Sequence, residues 1–243
     1  MKFIDRLKDA SQKNNSLLCV GLDVDLNKIP KEHSTIFEFN RSIVDATKDL
    51  VCAYKPNIAF YEMYGTKGIE ALIQSIEYIH KFDLPVVLDA KRGDIGNSSV
   101  AYAKAVFEAY KADAVTVSPY MGYDSVKPFI DYKDKGVFVL CLTSNPGAKD
   151  FQPPIYKEVA KKFSNAGLVV GATKPEELKE IRKIAPNALL LIPGVGAQGG
   201  DLGSIVKIGG KNIIINSSRS IIYADDPRKA AKTLREQINE KIV

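Results

Sequence analysis

Cysteine and histidine are scarce in this chain, which weakens the case for several kinds of chemistry. The 243 residues include three cysteines and two histidines. The cysteines lie far apart inside apolar runs, without CxxC spacing, so we expect buried structural thiols rather than metal or redox sites. Both histidines, His33 and His80, lie far from the predicted strand ends described below. A Ser-His-Asp nucleophile and a metal centre are therefore poorly supported, and His80 is expected to be an ordinary helix-surface residue.

Long apolar segments and blocks of like charge are also missing. No apolar run approaches membrane-spanning length, and the amphipathic N-terminal segment lacks the apolar core of a signal peptide. Lys and Arg exceed Asp and Glu by five (34 against 29), and the basic residues are scattered. This balance suits an anionic small molecule as well as nucleic acid, but no basic run favours nucleic acid. We expect a soluble, cytoplasmic protein with no nucleic-acid or membrane partner.

Short β-branched apolar runs alternate with amphipathic stretches along the whole chain. Near-continuous hydrophobicity in the runs is typical of a parallel sheet covered by helices. The predicted strands are 17–22, 51–55, 85–89, 114–117, 137–142, 167–170, 189–192 and 212–215. The clearest predicted helices are 68–82, 98–111, 175–184 and 227–242. Eight such units without a linker predict an α/β fold, a single (β/α)8 TIM barrel over residues 1–243, with an open doubly wound sheet as the alternative.

The most informative residues follow the third predicted strand, where Asp89, Lys91 and Asp94 leave an apolar run. Period-two alternation places Asp89 and Lys91 on the same face of that strand. Two carboxylates around one ammonium are costly to desolvate unless a site gains from them, as a proton donor beside repelling negative charge does. A solvated charge cluster is the alternative interpretation, because such clusters mark sites only some of the time.

Other polar residues fall at the same ends of the predicted strands, where barrel enzymes have their chemistry. Lys55 ends the second strand, and Asp23 follows the first. In a barrel these side chains converge on Asp89 and Lys91, and the alternating charges keep both lysines protonated. Asp23 could accept hydrogen bonds from sugar hydroxyls or cap a turn. Ser144, after the fifth strand, could bind an amide-like edge or be a turn residue.

Two loops predict a phosphate site. The glycine-rich segment 193–201 follows the seventh strand and precedes a predicted helix. Glycines let backbone N–H groups approach a ligand, and a helix N-terminus favours an anion. The segment 216–220, after the eighth strand, adds N–H donors and the guanidinium of Arg219. Because barrel enzymes commonly hold phosphate in these two loops, we favour phosphate binding over ordinary turns.

Together these residues resemble the signature of the orotidine 5′-phosphate decarboxylase family. The resemblance runs from Asp23 to Arg219, nearly the whole chain. It is carried by Asp23, Lys55-Pro56-Asn57, Asp89-x-Lys91-x-x-Asp94-Ile95, the loop 193–198 and Arg219. The Asp-x-Lys-x-x-Asp pattern alone is shared with a wider suprafamily of sugar-phosphate decarboxylases and synthases. The Lys-Pro-Asn after strand two looks most like one branch of the decarboxylase family.

The resemblance implies decarboxylation of orotidine 5′-phosphate to uridine 5′-phosphate and carbon dioxide, the last step of de novo UMP biosynthesis, without metal or cofactor. Lys91 would stabilise the C6 carbanion and protonate it. Asp89 would repel the substrate carboxylate, and Lys55 and Asp94 would complete the charged network. The further residues that the resemblance implies in substrate binding are Asp23, Asn57, Ser144, Pro193, Gln198, Ser218 and Arg219. Among these, Asp23 (with Lys55) would bind ribose, Ser144 the pyrimidine, and Gln198 and Arg219 the phosphate.

The resemblance also implies a homodimer, in which Asp94, Ile95 and Ser98 reach the partner's site. Two positions depart from the family pattern: Ser98 replaces the more common threonine, and Ser218 stands where glycine is expected. The hydroxyl and the backbone N–H are retained.

Two other functions compete with this interpretation. One is a magnesium-dependent 3-keto-gulonate or hexulose phosphate enzyme of the same suprafamily, which has a metal-binding carboxylate at the end of strand two. Lys55 stands there in this chain and would repel the cation. The other is a non-catalytic nucleotide-binding protein that kept the phosphate loops. The intact Lys91 between two aspartates argues against a non-catalytic protein.

Overall fold

Eight parallel strands form one sheet in the order β2-β1-β8-β7-β6-β5-β4-β3 in the computed structural model, which describes residues 1–194 and 201–242. The strands are β1 Leu18–Leu22, β2 Ala53–Pro56, β3 Val87–Arg92, β4 Ala114–Val117, β5 Gly136–Leu142, β6 Gly167–Val170, β7 Leu190–Pro193 and β8 Ile213–Ser217. The outer strands β2 and β3 meet through parallel bridges between Tyr54 and Val86 and between Asn57 and Asp89. The sheet therefore closes, which confirms the predicted (β/α)8 barrel over the open sheet.

Helices alternate with these strands. They are α1 Phe3–Asn14, α2 Ile36–Thr47, α3 Ala59–Glu62, α4 Gly65–His80, α5 Gly96–Lys104, α6 Tyr123–Ile130, α7 Gln152–Lys162, α8 Pro175–Ile184, α9 Leu202–Gly209, α10 Arg219–Ile222 and α11 Pro227–Asn239. A π-helical turn, Ala105–Ala109, continues α5, and a 3-10 turn, Pro146–Asp150, precedes α7. None of the helices among the described residues is long and apolar enough to cross a membrane.

Most predicted elements are present, with shifted ends. Helix α8 has the predicted bounds, whereas α11 ends at Asn239, three residues before the predicted end at 242. The helix predicted at 98–111 begins at Gly96 and changes to the π-helical turn after Lys104. Strand β8 runs through Ser217, so the first two residues of the predicted loop 216–220 belong to the strand.

The core has two parts because strand side chains alternate between the barrel interior and the helices. In β8, Ile213 and Ile215 pack in the outer cluster and Ile214 in the inner one. Phe3 of α1 belongs to the inner cluster, and its ring packs edge-on against Phe138 with centroids 5.9 Å apart. Helix α1 therefore covers the amino end of the barrel and leaves the carboxyl end open. The described cysteines are free and buried, as predicted.

The amino end of the barrel also holds a charged cluster that corrects one expectation. His80 is not an ordinary helix-surface residue: its Nε2 lies 2.8 Å from Oδ2 of the buried Asp113. Arg6 binds the other oxygen, and the backbone N–H of Val86 donates to Oδ2 at 2.9 Å. The pairing joins α1, α4 and the residue just before β4. It depends on barrel closure, which helical periodicity alone does not reveal.

Candidate active site

A carboxylate between two ammonium groups lies inside the carboxyl end of the barrel. Nζ of Lys55 lies 2.8 Å from Oδ2 of Asp89, and Nζ of Lys91 lies 2.6 Å from Oδ1. The Lys55 side chain points into the barrel because side chains alternate along β2. Ala53 packs in the inner cluster and Tyr54 in the outer one. The side chain of Lys55 is only 4% exposed, whereas that of Lys91 is 48% exposed. Lys91 is therefore the ammonium that a bound molecule can reach.

The two ammonium groups control the charge of Asp89. Burial opposes its ionisation, but attraction to Lys55 and Lys91, with their hydrogen bonds, holds the pKa of the Asp89 carboxyl well below its usual range. Burial likewise opposes the charge on Lys55, but the carboxylates of Asp89 and Asp23 raise the pKa of Lys55 above its ordinary value. At neutral pH the site therefore holds an ionised Asp89 beside a protonated Lys55.

Thr116 of β4 is a site residue that the sequence analysis missed. Its hydroxyl donates to Oδ1 of Asp89 at 2.8 Å and accepts from the backbone N–H of Lys91 at 3.0 Å. Alternation within β4 was the available signal, since Val115 and Val117 belong to the outer cluster and Thr116 between them faces inward.

Asp94, Ile95 and Ser98 are not brought to the charged group within the chain. Oδ1 of Asp94 accepts from the backbone N–H of Ile95 at 2.8 Å. Across residues 1–194 and 201–242, Asp94 forms no ion pair with Lys55 or Lys91. Ile95 is 58% exposed, and Ser98 is exposed as well.

Asp23 contributes an unsatisfied acceptor beside Lys55. Its Oδ1 is buried and has no hydrogen-bond partner in the described part of the chain. Tyr223 holds the Asp23 backbone: its hydroxyl donates to the carbonyl of Asp23 at 3.3 Å and accepts from the N–H of Asp25 at 2.7 Å. Its ring stacks on Phe39 with centroids 5.7 Å apart. The position of Asp23 is therefore fixed through its backbone while one carboxylate oxygen stays available.

Asn57 lies at the closure of the barrel, opposite Asp89 in the bridge between β2 and β3. Its Oδ1 accepts from the N–H of Ala59 at 3.2 Å, a local contact at the start of α3. Asn57 is half-buried. The structure therefore places the Asn57 backbone opposite that of Asp89.

The two predicted phosphate loops leave neighbouring strands. Pro193 of β7 pairs in register with Asn216 of β8. Oγ of Ser218 donates to the carbonyl of Gly21 at 3.1 Å, and the exposed Arg219 begins α10. The loops therefore start side by side at the carboxyl end of the barrel. Gln198 lies outside the described residues.

Ser144 follows β5 and is half-buried. Gly171 lies against it, because a Cβ atom at Gly171 would approach the Ser144 backbone nitrogen to 2.9 Å. The preceding Thr143 is held by Gln152, whose Oε1 accepts from the Thr143 N–H at 2.7 Å. Ser144 thus sits on a supported turn at the same end of the barrel as Lys91.

Comparisons with known proteins show the family to which the chain belongs. The model of the orotidine 5′-phosphate decarboxylase / HUMPS family matches residues 16–234. A protein of Dehalococcoides mccartyi named orotidine 5′-phosphate decarboxylase is 48% identical over 266 residues, covering 98% of each chain. One of the same name from Ralstonia nicotianae is 48% identical over 270 residues, covering 99% of each.

Solved structures of similar proteins match the chain over nearly its whole length. The Leishmania donovani OMP decarboxylase matches with a TM-score of 0.90 and 41% identity, covering 99% of both chains. The UMP synthase of Leishmania donovani matches with a TM-score of 0.92 and 42% identity. That match covers 99% of this chain but 56% of the synthase, so the chain spans about half the length of that protein.

Proposed function

Because this chain belongs to the orotidine 5′-phosphate decarboxylase / HUMPS family, we propose that it converts orotidine 5′-phosphate to uridine 5′-phosphate and carbon dioxide, the last step of de novo UMP biosynthesis. One observation carries the proposal: Asp89 is buried and ionised between Lys55 and Lys91, and only Lys91 is open to a bound molecule. Loss of carbon dioxide leaves an electron pair on the pyrimidine, and this arrangement supplies a positive charge and a proton donor at one point.

In the proposed reaction the substrate carboxylate lies beside Asp89, and its C6 carbon lies beside Nζ of Lys91. When the C6–carboxyl bond breaks, its electron pair stays on C6 and carbon dioxide leaves as a neutral molecule. The ammonium of Lys91 stabilises the carbanion and then transfers a proton to C6, leaving a neutral amine that regains its proton from solvent. Repulsion between Asp89 and the substrate carboxylate disappears as carbon dioxide forms. The preorganised positive charges then stabilise the C6 carbanion that remains.

One ion pair does not account for the whole rate enhancement. Enzymes lower reaction barriers by about 8–23 kcal/mol, and a carbanion without an electron sink requires the upper part of that range. Binding energy from remote groups must therefore contribute to the chemical step. We assign the phosphate to Arg219 and Gln198, with Ser218 and Pro193 beside it. The remaining substrate contacts are assigned to Asp23 and Asn57 near the ribose and to Ser144 at the pyrimidine.

The unpaired oxygen of Asp23 supports its assignment. A buried carboxylate oxygen without a donor is costly, and a ribose hydroxyl would satisfy it. The exposed guanidinium of Arg219 suits a phosphate, which accepts paired hydrogen bonds from the planar Arg fork.

We further propose a homodimer in which Asp94, Ile95 and Ser98 complete the partner's site. Within residues 1–194 and 201–242 Asp94 forms no ion pair with the Lys91 of its own chain, as expected for a residue contributed to a neighbour. Two packed helices, α5 and α6, and the residues just before each of them also expose large apolar side chains. Those side chains are Ile95, Val100, Tyr102, Tyr120, Met121 and Tyr123. Apolar residues grouped on adjoining elements are typical of a protein interface.

The proposed reaction uses neither metal nor cofactor, because the Lys91 ammonium supplies the positive charge. Lys55 occupies the end of β2, where its charge would repel the divalent cation that the sugar-phosphate alternative needs. We assign the reaction to the cytoplasm, a reducing compartment that suits the free thiols of the described cysteines.

Turnover of orotidine 5′-phosphate, followed by ultraviolet absorbance in excess chelator, tests the proposal. We expect rapid loss of substrate by the parent protein and none by Lys91→Ala. Lys133→Ala is the matched control, because the Lys133 side chain is 77% exposed and distant from the site. No turnover by a correctly folded dimer would overturn the proposal, and magnesium with keto-sugar phosphates would then test the alternative.

A further inference from the structure

The hydroxyl of Thr116 connects the two residues that take part in the proposed chemistry. It donates to Oδ1 of Asp89 at 2.8 Å and accepts from the Lys91 backbone N–H at 3.0 Å. Thr116 is 1% exposed. A buried hydroxyl that both donates and accepts in this way has its orientation fixed by its two partners.

Lys91 needs such support because of its backbone. Its φ is +48°, in the left-handed region that non-glycine residues rarely adopt. The register between β3 and β4 also shifts at this point: Leu88 pairs with Val115, and Arg92 pairs with Val117. Four residues of β3 therefore span the same length as two residues of β4. The Lys91 N–H falls in the irregular part of the ladder, and Thr116 supplies its acceptor through a side chain.

The Lys91 ammonium returns to Asp89 within this irregular segment. Nζ of Lys91 lies 2.6 Å from Oδ1 of Asp89, the same oxygen that the Thr116 hydroxyl binds. Lys91 is thus fixed at both its backbone and its ammonium.

We propose that Thr116 is a positioning residue that holds Lys91 and Asp89 in their reactive arrangement. This inference rests on the proposed decarboxylation. Thr116 does not touch the substrate in this account. It sets the direction from which the Lys91 proton approaches C6 and keeps Asp89 from rotating away from the ammonium, so its effect falls on the chemical step rather than on binding.

Three variants of Thr116 test the inference. Thr116→Val keeps the shape and removes the hydroxyl, Thr116→Ala removes the hydroxyl in a smaller side chain, and Thr116→Ser retains it. We expect the two hydroxyl-free variants to lower kcat by about tenfold to hundredfold, because hydrogen bonds to charged groups have effects of that size. KM and the affinity for uridine 5′-phosphate should stay within about twofold of the parent. Thr116→Ser should recover most of the lost kcat.

Thr47→Val is the matched control. Thr47 is equally buried, and its hydroxyl donates to the carbonyl of Ile43 and pairs with the Tyr54 hydroxyl, each at 2.7 Å, outside the barrel. This variant should lose stability while keeping kcat. If the parent is active and the hydroxyl-free Thr116 variants keep the kcat of Thr47→Val, or if Thr116→Ser fails to recover kcat, the inference is wrong. An inactive parent would instead overturn the proposed function.

Discussion

Lys55 and Lys91 bind different oxygens of one carboxylate, at 2.8 Å and 2.6 Å from Asp89. Their environments differ, because the Lys55 side chain is 4% exposed and the Lys91 side chain is 48% exposed. Burial makes Lys55 depend on Asp89 for its charge, whereas Lys91 keeps access to the open end of the barrel. The two lysines therefore have different roles: Lys55 holds Asp89 in place, and Lys91 can exchange a proton with a substrate.

Asp89→Asn should destabilise the fold strongly at neutral pH. The substitution leaves the buried Lys55 charge without its closest partner, and removing one member of a buried pair costs about 3–5 kcal/mol. The free energy of unfolding, measured by urea denaturation, reports this loss. Asp131→Asn is the control, because Asp131 is 51% exposed where it pairs with Lys127, and it should change stability by less than about 1 kcal/mol.

The same variant should also change the pH dependence of stability. In the parent the raised pKa of Lys55 gives a contribution that is fully present below the unfolded value, about 10.4, and is lost as the pH rises through the folded value. In Asp89→Asn burial is opposed only by the more distant Asp23, so the pKa of Lys55 falls. The stability difference between parent and variant should therefore shrink as pH rises from 7 to 10. A constant difference would contradict this account of Lys55.

Hybrid dimers test the shared site. Lys91→Ala and Asp94→Ala chains should each be inactive alone, because each homodimer lacks one group in both sites. Mixing them should restore activity, since a hybrid dimer contains one site with both groups intact. Turnover of orotidine 5′-phosphate measures the recovery. Absence of recovery in mixtures shown to exchange subunits would contradict the assignment of Asp94 to the partner's site.

Tyr223→Phe should weaken substrate binding more than the chemical step. The variant keeps the ring that stacks on Phe39 but removes the hydroxyl that binds the Asp23 carbonyl and the Asp25 N–H. We expect KM to rise by about threefold to tenfold, the equivalent of one hydrogen bond, with kcat nearly unchanged. Tyr132→Phe is the control, since its hydroxyl binds the exposed Glu108 instead. A fall in kcat with KM unchanged would contradict the assignment of Asp23 to ribose binding.

Asp113→Asn should destabilise the amino end of the barrel without changing kcat. Burial opposes the charge of Asp113, but hydrogen bonding and attraction from His80, with Val86 and Arg6, lower the pKa of its carboxyl. A lowered pKa gives stability that is present above the unfolded value, about 3.9, and is lost as pH falls through the folded value. We expect a loss of about 3 kcal/mol at pH 7 that shrinks below about pH 4. Urea denaturation at pH 7 and below about pH 4 measures the loss of stability. Equal losses under the two conditions would contradict the role of the Asp113 carboxylate.

Local periodicity was enough to predict the barrel and the inward direction of Lys55 and Asp89. The barrel follows from the eight repeated strand and helix units, and the direction of the side chains follows from alternation within each strand. The Thr116 contact was out of reach, because it depends on the register between β3 and β4 and on the left-handed φ of Lys91. The pairing of His80 with Asp113, 33 residues apart in the chain, likewise forms only after the barrel closes.

Proton exchange at C6 of uridine 5′-phosphate tests the central claim most directly. If Lys91 protonates a C6 carbanion, the reverse step must let the enzyme remove that proton from the product. In deuterium oxide, nuclear magnetic resonance should show deuterium entering C6 with the parent protein and not with Lys91→Ala. Equal exchange by Lys91→Ala, or none by a parent that decarboxylates orotidine 5′-phosphate, would contradict the role given to Lys91.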